Sequence, residues 1–137
     1  MNKEIKERPT YGIAVDAACS GNPGIMEYRG ILISTGEEVF HFGPMYGTNN
    51  IGECLALCYA LKQYEDVIPI YTDSKTALAW VRDGKHKSTL KRTPETEALY
   101  TLLETNLEDI EYITLDNLHK WDTKNWGEIP ADFGRKK

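Results

Sequence analysis

Hydrophobic residues in this chain gather into short alternating or continuous runs in some stretches and take a helical period in others. Tyr11-Gly-Ile-Ala-Val-Asp16 reads as a strand ending at or near its acid. Ser20-Gly-Asn-Pro-Gly24 follows as a turn cluster, since these residues supply unusual φ values and local hydrogen bonds. Residues 28–34 and 39–43 read as two strands joined by a hairpin loop at Thr35-Gly36-Glu37-Glu38. Over residues 50–64 the period changes, and Ile51, Leu55, Cys58, Tyr59 and Leu61 form an apolar stripe at helical spacing. Asn49 or Asn50 caps this helix, which places Glu53 in its first turn. Residues 67–72 are nearly all apolar and suit a central strand buried on both faces. A second helix covers residues 74–82 and closes at Gly84. Thr93-Pro94-Glu95 opens a third, with Thr at the cap and Pro at the first helical position, running to about Thr105. Residues 110–115 read as the last strand and 121–128 as a loop. Pro130 starts a short terminal helix with Asp132 in its first turn. The predicted order is β-β-β-α-β-α-α-β-α. A meander followed by helix–strand alternation gives an α/β fold, a five-stranded mixed sheet flanked by helices.

Composition narrows this picture without redirecting it. At 137 residues the chain fits a single domain able to bury a genuine core. Its 41% hydrophobic and 27% charged content is ordinary for a globular protein. No apolar run approaches the roughly 20 residues of a membrane span, and MNKEIKERPT lacks an apolar signal core, so the expectation is a cytoplasmic protein without membrane contact. Cys19, Cys54 and Cys58 lack zinc-ligand spacing and read as small hydrophobes. The net charge of −5 argues mildly against nonspecific nucleic-acid binding. Its distribution says more: residues 82–92 hold Arg82, Lys85, Lys87, Lys91 and Arg92 against one acid, Asp83. Lys120 and Lys124, and the tail Arg135, Lys136 and Lys137, add to the basic side. Such a run is either a solvated face or a patch for a phosphate backbone.

The candidate chemistry lies in four acids, each beside an element boundary: Asp16, Glu53, Asp73 and Asp132. Their surroundings are YGIAVDAACSGNPG, GTNNIGECLALCYAL, IYTDSKTALAWV and WGEIPADFGRK, rich in Gly, Asn and apolar residues that surface carboxylates do not need. Asp73 follows an apolar strand run, where a rigid sheet meets water and ligands. If the four converge, their repulsion in a partly dehydrated cleft is tolerable when divalent cations neutralise it. That is the chemistry of metal-dependent phosphoryl transfer.

These motifs resemble one family, type 1 ribonuclease H, which cuts the RNA strand of RNA/DNA hybrids. They stand here as Asp16-Ala-Ala-Cys19-Ser-Gly-Asn22-Pro-Gly24, Thr48-Asn49-Asn50-Ile-Gly-Glu53, Tyr71-Thr-Asp73-Ser74 and Ala131-Asp132, in the family's order over essentially the whole chain. The resemblance implies a ribonuclease H-like fold with Asp16, Glu53, Asp73 and Asp132 as catalytic metal ligands. It implies two Mg²⁺ ions per site, with Mn²⁺ as a substitute, which suits an all-oxygen ligand set. Two such ions about 3.5–4 Å apart activate water and stabilise the leaving 3′-oxygen. The expected products carry 5′-phosphate and 3′-hydroxyl ends. Asn22, Asn49 and Asn50 are then groove contacts, because an amide both donates and accepts. Backbone groups near Cys19 and the Glu53 carboxylate read ribose 2′-hydroxyls, which separate RNA from DNA. Thr48 holds a phosphate of the DNA strand, and Ser74 and Lys75 lie within reach of the hybrid.

Three departures from the family pattern stand out. A long basic handle after the second helix is reduced to residues 84–93, so the patch at 82–92 is left to substitute for it. Many relatives carry a mobile His ten residues before the final Asp; that position here is Asp122, and His119 lies earlier. With 137 residues filled by the catalytic motifs, the expectation is a single catalytic domain without a separate hybrid-binding domain, no processive cutting, and a monomer without an obligate protein partner. Two other classes compete with the nuclease. One is an inactive hybrid-binding module, against which the intact acid quartet speaks. The other is a strand-transfer enzyme of the same fold, against which the groove asparagines speak.

Overall fold

A computed structural model describes residues 7–64, 68–110, 113 and 115–134. Three strands made in succession, β1 (Ile13–Gly21), β2 (Gly24–Leu32) and β3 (Glu38–Gly47), form an antiparallel meander. Helix α1 (Asn49–Tyr64) then returns the chain to β4 (Ile70–Thr72), which lies parallel to β1. Helices α2 (Lys75–Asp83) and α3 (Glu97–Asp109) precede β5 (Leu118–Lys120), parallel to β4, and one turn of helix, α4 (Thr123–Trp126), follows. The sheet order is β3-β2-β1-β4-β5, the five-stranded mixed sheet expected from the sequence.

Alternation along β1 divides its side chains between two cores. Ile13, Val15 and Ala17 join the larger one, with α1, α2 and α3. Ala14 joins a smaller one with Ile31, Trp121, Ile129 and Ala131. Helix α1 is buried nearly all round, with ten of its sixteen residues inaccessible, because it lies between the sheet and the other two helices.

Several boundaries differ from the sequence expectation, each for a traceable reason. β1 does not end at Asp16 but continues to Gly21, paired throughout with β2. What ends beside Asp16 is the parallel pairing with β4, whose last partners are Val15 and Thr72. β2 starts at Gly24, directly after the Asn22-Pro23 loop, rather than at Tyr28, and β3 runs on to Gly47. The cap of α1 is Thr48, whose Oγ1 accepts the Ile51 N–H at 3.2 Å, so Glu53 falls in the second turn. Thr93 accepts the Thr96 N–H as a cap would, but the turn it starts is the tight i→i+3 type, and the regular helix α3 begins at Glu97 and extends to Asp109.

The last strand lies outside residues 110–115. Ile110 ends α3, while Ile113 and Leu115 are partly buried loop residues packed on the larger core. Residues 111, 112 and 114 of that expected strand, residue 67 of the earlier one, and the basic tail 135–137 lie outside the described residues. No terminal helix forms at Pro130 through Gly134. Asp132 N–H donates to Ile129 O at 2.9 Å and Asp132 Oδ2 accepts the Gly134 N–H at 3.1 Å, a local turn that competes with helix. Among the described residues, no helix is long and apolar enough to cross a membrane.

Candidate active site

Because β4 leaves the sheet after Thr72 while β1 continues, a crevice opens at the carboxyl end of the parallel pair. Ligands bind open α/β sheets in this kind of place. Asp16 and Asp73 are the first residues past the paired Val15 and Thr72 and stand on its two sides. Glu53 enters from α1, and its approach depends on Gly52. A Cβ at Gly52 would sit 2.8 Å from Met26 Sδ and 2.9 Å from Ala17 Cβ, so glycine lets the helix close onto the sheet. That approach brings Glu53 Oε2 to 3.3 Å from the Ala17 N–H, which donates to it.

The carboxylates of Asp16, Glu53 and Asp73 each offer an oxygen within 4.8 Å of the others. Asp132 lines the same cavity of about 480 Å³, together with Ala17, Ala18, Cys19, Asn49, Ser74 and Phe133. Burial pushes the Asp16 carboxyl up from its ordinary 3.8 to about 6. The charges of Asp73 and Asp132 add to the rise, while hydrogen bonding with Glu53 and the Ala17 backbone offsets part of it. Burial also lifts Glu53 well above the usual carboxylate range, with the Asp16 carboxyl and the Asp73 charge adding to it. With both acids ionised, the inaccessible Glu53 Oε1 has no hydrogen-bond partner. A buried oxygen of this kind needs either a proton shared with Asp16 or a cation. The donors are all carboxylate oxygens, so they suit a hard divalent cation better than zinc.

The groove residues divide between two cavities. Cys19, Asn49 and Ser74 line the carboxylate cavity, although the Ser74 Oγ also caps α2 by accepting the Ala77 N–H at 3.0 Å. Asn22, Thr48 and Asn50 line a second cavity of about 500 Å³ with Tyr46, Trp80, Lys87 and Lys91. Asn22 and the start of α1 are joined directly, since Asn22 Oδ1 accepts the Asn49 N–H at 3.0 Å. Lys75 is exposed at the first position of α2 and lines neither cavity.

The basic stretch at 82–92 is not one patch. Arg92 turns to Glu97 and Glu104, at 2.9 Å each, and lies over the Tyr100 ring. His86 also meets Glu104, at 2.9 Å. Lys87 and Lys91 remain on the second cavity. Trp80 is a buried helix residue that shows an edge to that cavity, and Trp121 is fully buried, its Nε1 donating to Gly127 O at 2.8 Å.

Asp122 does not line the carboxylate cavity. It caps α4, accepting from the Asn125 backbone N–H at 3.2 Å and from the Asn125 side-chain amide at 2.7 Å, and these bonds hold its carboxyl below the ordinary range. His119 is exposed beside Tyr71 on β5. Two residues of the site escaped the sequence reading. Phe133 lines the cavity, and Arg29 on β2 binds the backbone on either side of Asp132. A charged residue inside the strand pattern Tyr28-Arg29-Gly30-Ile31 was the available signal for the second.

Known proteins with this sequence pattern agree on one family. The RNase H family model matches residues 8–115. The Ribonuclease H of Ehrlichia ruminantium is 32% identical over 141 residues, covering 98% of this chain and 88% of its own. That of Polynucleobacter asymbioticus is 31% identical over 118 residues, covering 79% of this chain and 77% of its own. The Ribonuclease H of Bartonella quintana is 35% identical over 83 residues, 58% of this chain and 51% of that protein, so against several curated relatives the match spans about half their length. With the family pattern running from before β1 to beyond α3, the chain belongs to the RNase H family.

Proposed function

We propose that this cleft hydrolyses the RNA strand of RNA/DNA hybrids, as a monomer, leaving 5′-phosphate and 3′-hydroxyl ends. One observation carries the reading: Asp16, Glu53 and Asp73 converge within 4.8 Å around a buried, unpartnered Glu53 oxygen, in a chain of the RNase H family. Asp16, Glu53 and Asp73, with Asp132 at the rim, would hold two divalent cations, Mg²⁺ first and Mn²⁺ as its substitute. Bound there, such ions lower the pKa of water and relieve charge on the leaving oxygen.

The remaining work falls to the protein's own groups. The carboxylates, fixed by β1, α1 and β4, would hold those cations, and through them the reacting phosphate, in place relative to the sheet. Glu53 and the backbone near Cys19 accept from and donate to the 2′-hydroxyl, which a DNA strand lacks. Asn49 lines the carboxylate cavity while its neighbours Thr48 and Asn50, and its hydrogen-bond partner Asn22, line the second, so the hybrid runs from the carboxylates toward Asn22, Thr48 and Asn50. There Thr48 takes a phosphate of the DNA strand, and Lys87 and Lys91 take the place of a longer basic handle.

The test is a hybrid carrying different labels on its two strands. The RNA strand should be cut with Mg²⁺ and left whole with EDTA, and Asp73→Asn should lower the rate about a thousandfold or more. Cutting of duplex DNA at a comparable rate would overturn the reading.

A further inference from the structure

The segment that delivers Asp132 reaches the cleft without a helix or strand of its own. Arg29 stands across from Asp16 in the antiparallel register of β1 and β2, so both side chains leave the sheet on the same face. From there its Nε donates to Ala131 O at 2.9 Å and one terminal nitrogen donates to Asp132 O at 2.8 Å. These carbonyls belong to the peptide groups on either side of the Asp132 Cα, so holding both fixes the direction in which its carboxylate leaves the backbone. The other terminal nitrogen meets Glu38 at 3.3 Å, and the guanidinium lies 4.5 Å from the centre of the Phe133 ring. His41 meets the same ring edge-on at 5.9 Å.

We propose that Arg29 is a positioning residue that sets Asp132, and Phe133 after it, into the carboxylate cleft. The inference rests on the reading of that cleft as a cation site. A planar fork supplies two N–H groups at fixed spacing and a flat face for the ring, and no other side chain offers both. The ion pair with Glu38 is solvent-exposed enough to contribute little by itself. What Arg29 holds is backbone, 102 and 103 residues away in sequence.

Mn²⁺ binding by calorimetry and hybrid cleavage should be measured for the wild type, Arg29→Met, Arg29→Lys, Asp132→Ala and the Arg29→Met/Asp132→Ala double variant. Arg29→Met should weaken Mn²⁺ binding about tenfold or more and lower kcat while KM changes little, the size of effect seen when a ligand loses its supporting hydrogen bonds. Arg29→Lys, with its charge but not its fork, should recover part of the loss. In the Asp132→Ala background, Arg29→Met should add nothing. A readout independent of the cation is amide hydrogen exchange: Asp132 and Gly134 should exchange faster in Arg29→Met while α1 keeps wild-type protection. Wild-type Mn²⁺ binding and exchange in Arg29→Met, or its full penalty persisting without Asp132, overturns the proposal. If Arg29→Met does not fold, Arg29→Lys carries the same comparison. Failure of the wild type to bind Mn²⁺ counts against the proposed function instead, and the exchange measurement then decides on Arg29.

Discussion

The two faces of the sheet supply the same cleft by different means. On one face, α1 lies in a continuous core with β1, α2 and α3, and Glu53 projects from a helix with almost no exposed side. On the other, Ala14, Ile31, Trp121, Ile129 and Ala131 make a small cluster, and Asp132 sits on a turn whose carbonyls are held by Arg29 of β2. Three acids therefore share a preformed oxygen cluster, while the fourth depends on a light clasp. Rigid scaffolding and adjustable access are combined by giving each to a different face, since regions with few buried contacts open most readily.

The sharpest way to break this contrast is to cut a hole in each face. Leu103→Ala in the large core should cost toward the upper end of roughly 2–5 kcal/mol, and Ile129→Ala in the small one toward the lower end. Denaturant unfolding measures both. Metal binding should move the opposite way, weakened by Ile129→Ala and little changed by Leu103→Ala. Equal effects on both quantities would erase the distinction between the faces.

The next test concerns the cluster of three carboxylates. Because the fold raises the Asp16 carboxyl from 3.8 to about 6, the native state holds more protons than the unfolded chain in that window. Metal-free stability should therefore fall as pH rises through it, with the Asp16 share of the loss complete above about pH 6. Asp16→Asn should flatten that slope in unfolding curves at pH 4 and 7. Mg²⁺ at a hundredfold its dissociation constant should return about 2.7 kcal/mol at pH 7. A metal-insensitive melting temperature would favour a binding module that has lost catalysis.

The smallest expected effect is at the basic stretch. Arg92 is committed to Glu97 and Glu104 at the surface, so Arg92→Ala should leave hybrid affinity nearly unchanged. Lys87→Ala and Lys91→Ala should each weaken it and reduce its salt dependence, as loss of a phosphate contact does. Binding titrations at two salt concentrations separate these cases.

The order of elements from β1 to α3 was legible because hydrophobic period changes are local, and α1 and α2 declare themselves within a few residues. Beyond α3 the expected strand at 110–115, loop at 121–128 and helix from Pro130 give way to β5 at Leu118–Lys120 and α4 at Thr123–Trp126. The elements that carry three of the four acids were read correctly because strand and helix signals flank them, although β1 runs on past Asp16 and Glu53 falls a turn later than expected. The misread boundaries belong to long-range contacts. Residues 110–115 are apolar because part of the stretch covers the core as helix end and loop, whereas Leu118-His119-Lys120 is a strand through its pairing with β4 alone. Pro130 is a local helix signal, but the carbonyls of Ala131 and Asp132, which a helix would use, are taken by Arg29. Nothing near Asp132 in sequence announces that.

The most direct measurement is the anomalous signal of Mn²⁺ in crystals of the wild-type protein. Ion density should lie within ligand distance of carboxylate oxygens from Asp16, Glu53 and Asp73, with Glu53 Oε1 among its neighbours. Density confined to other surfaces, or none at saturating Mn²⁺ with the three carboxylates still gathered, would contradict the claim that this crevice exists to hold metal.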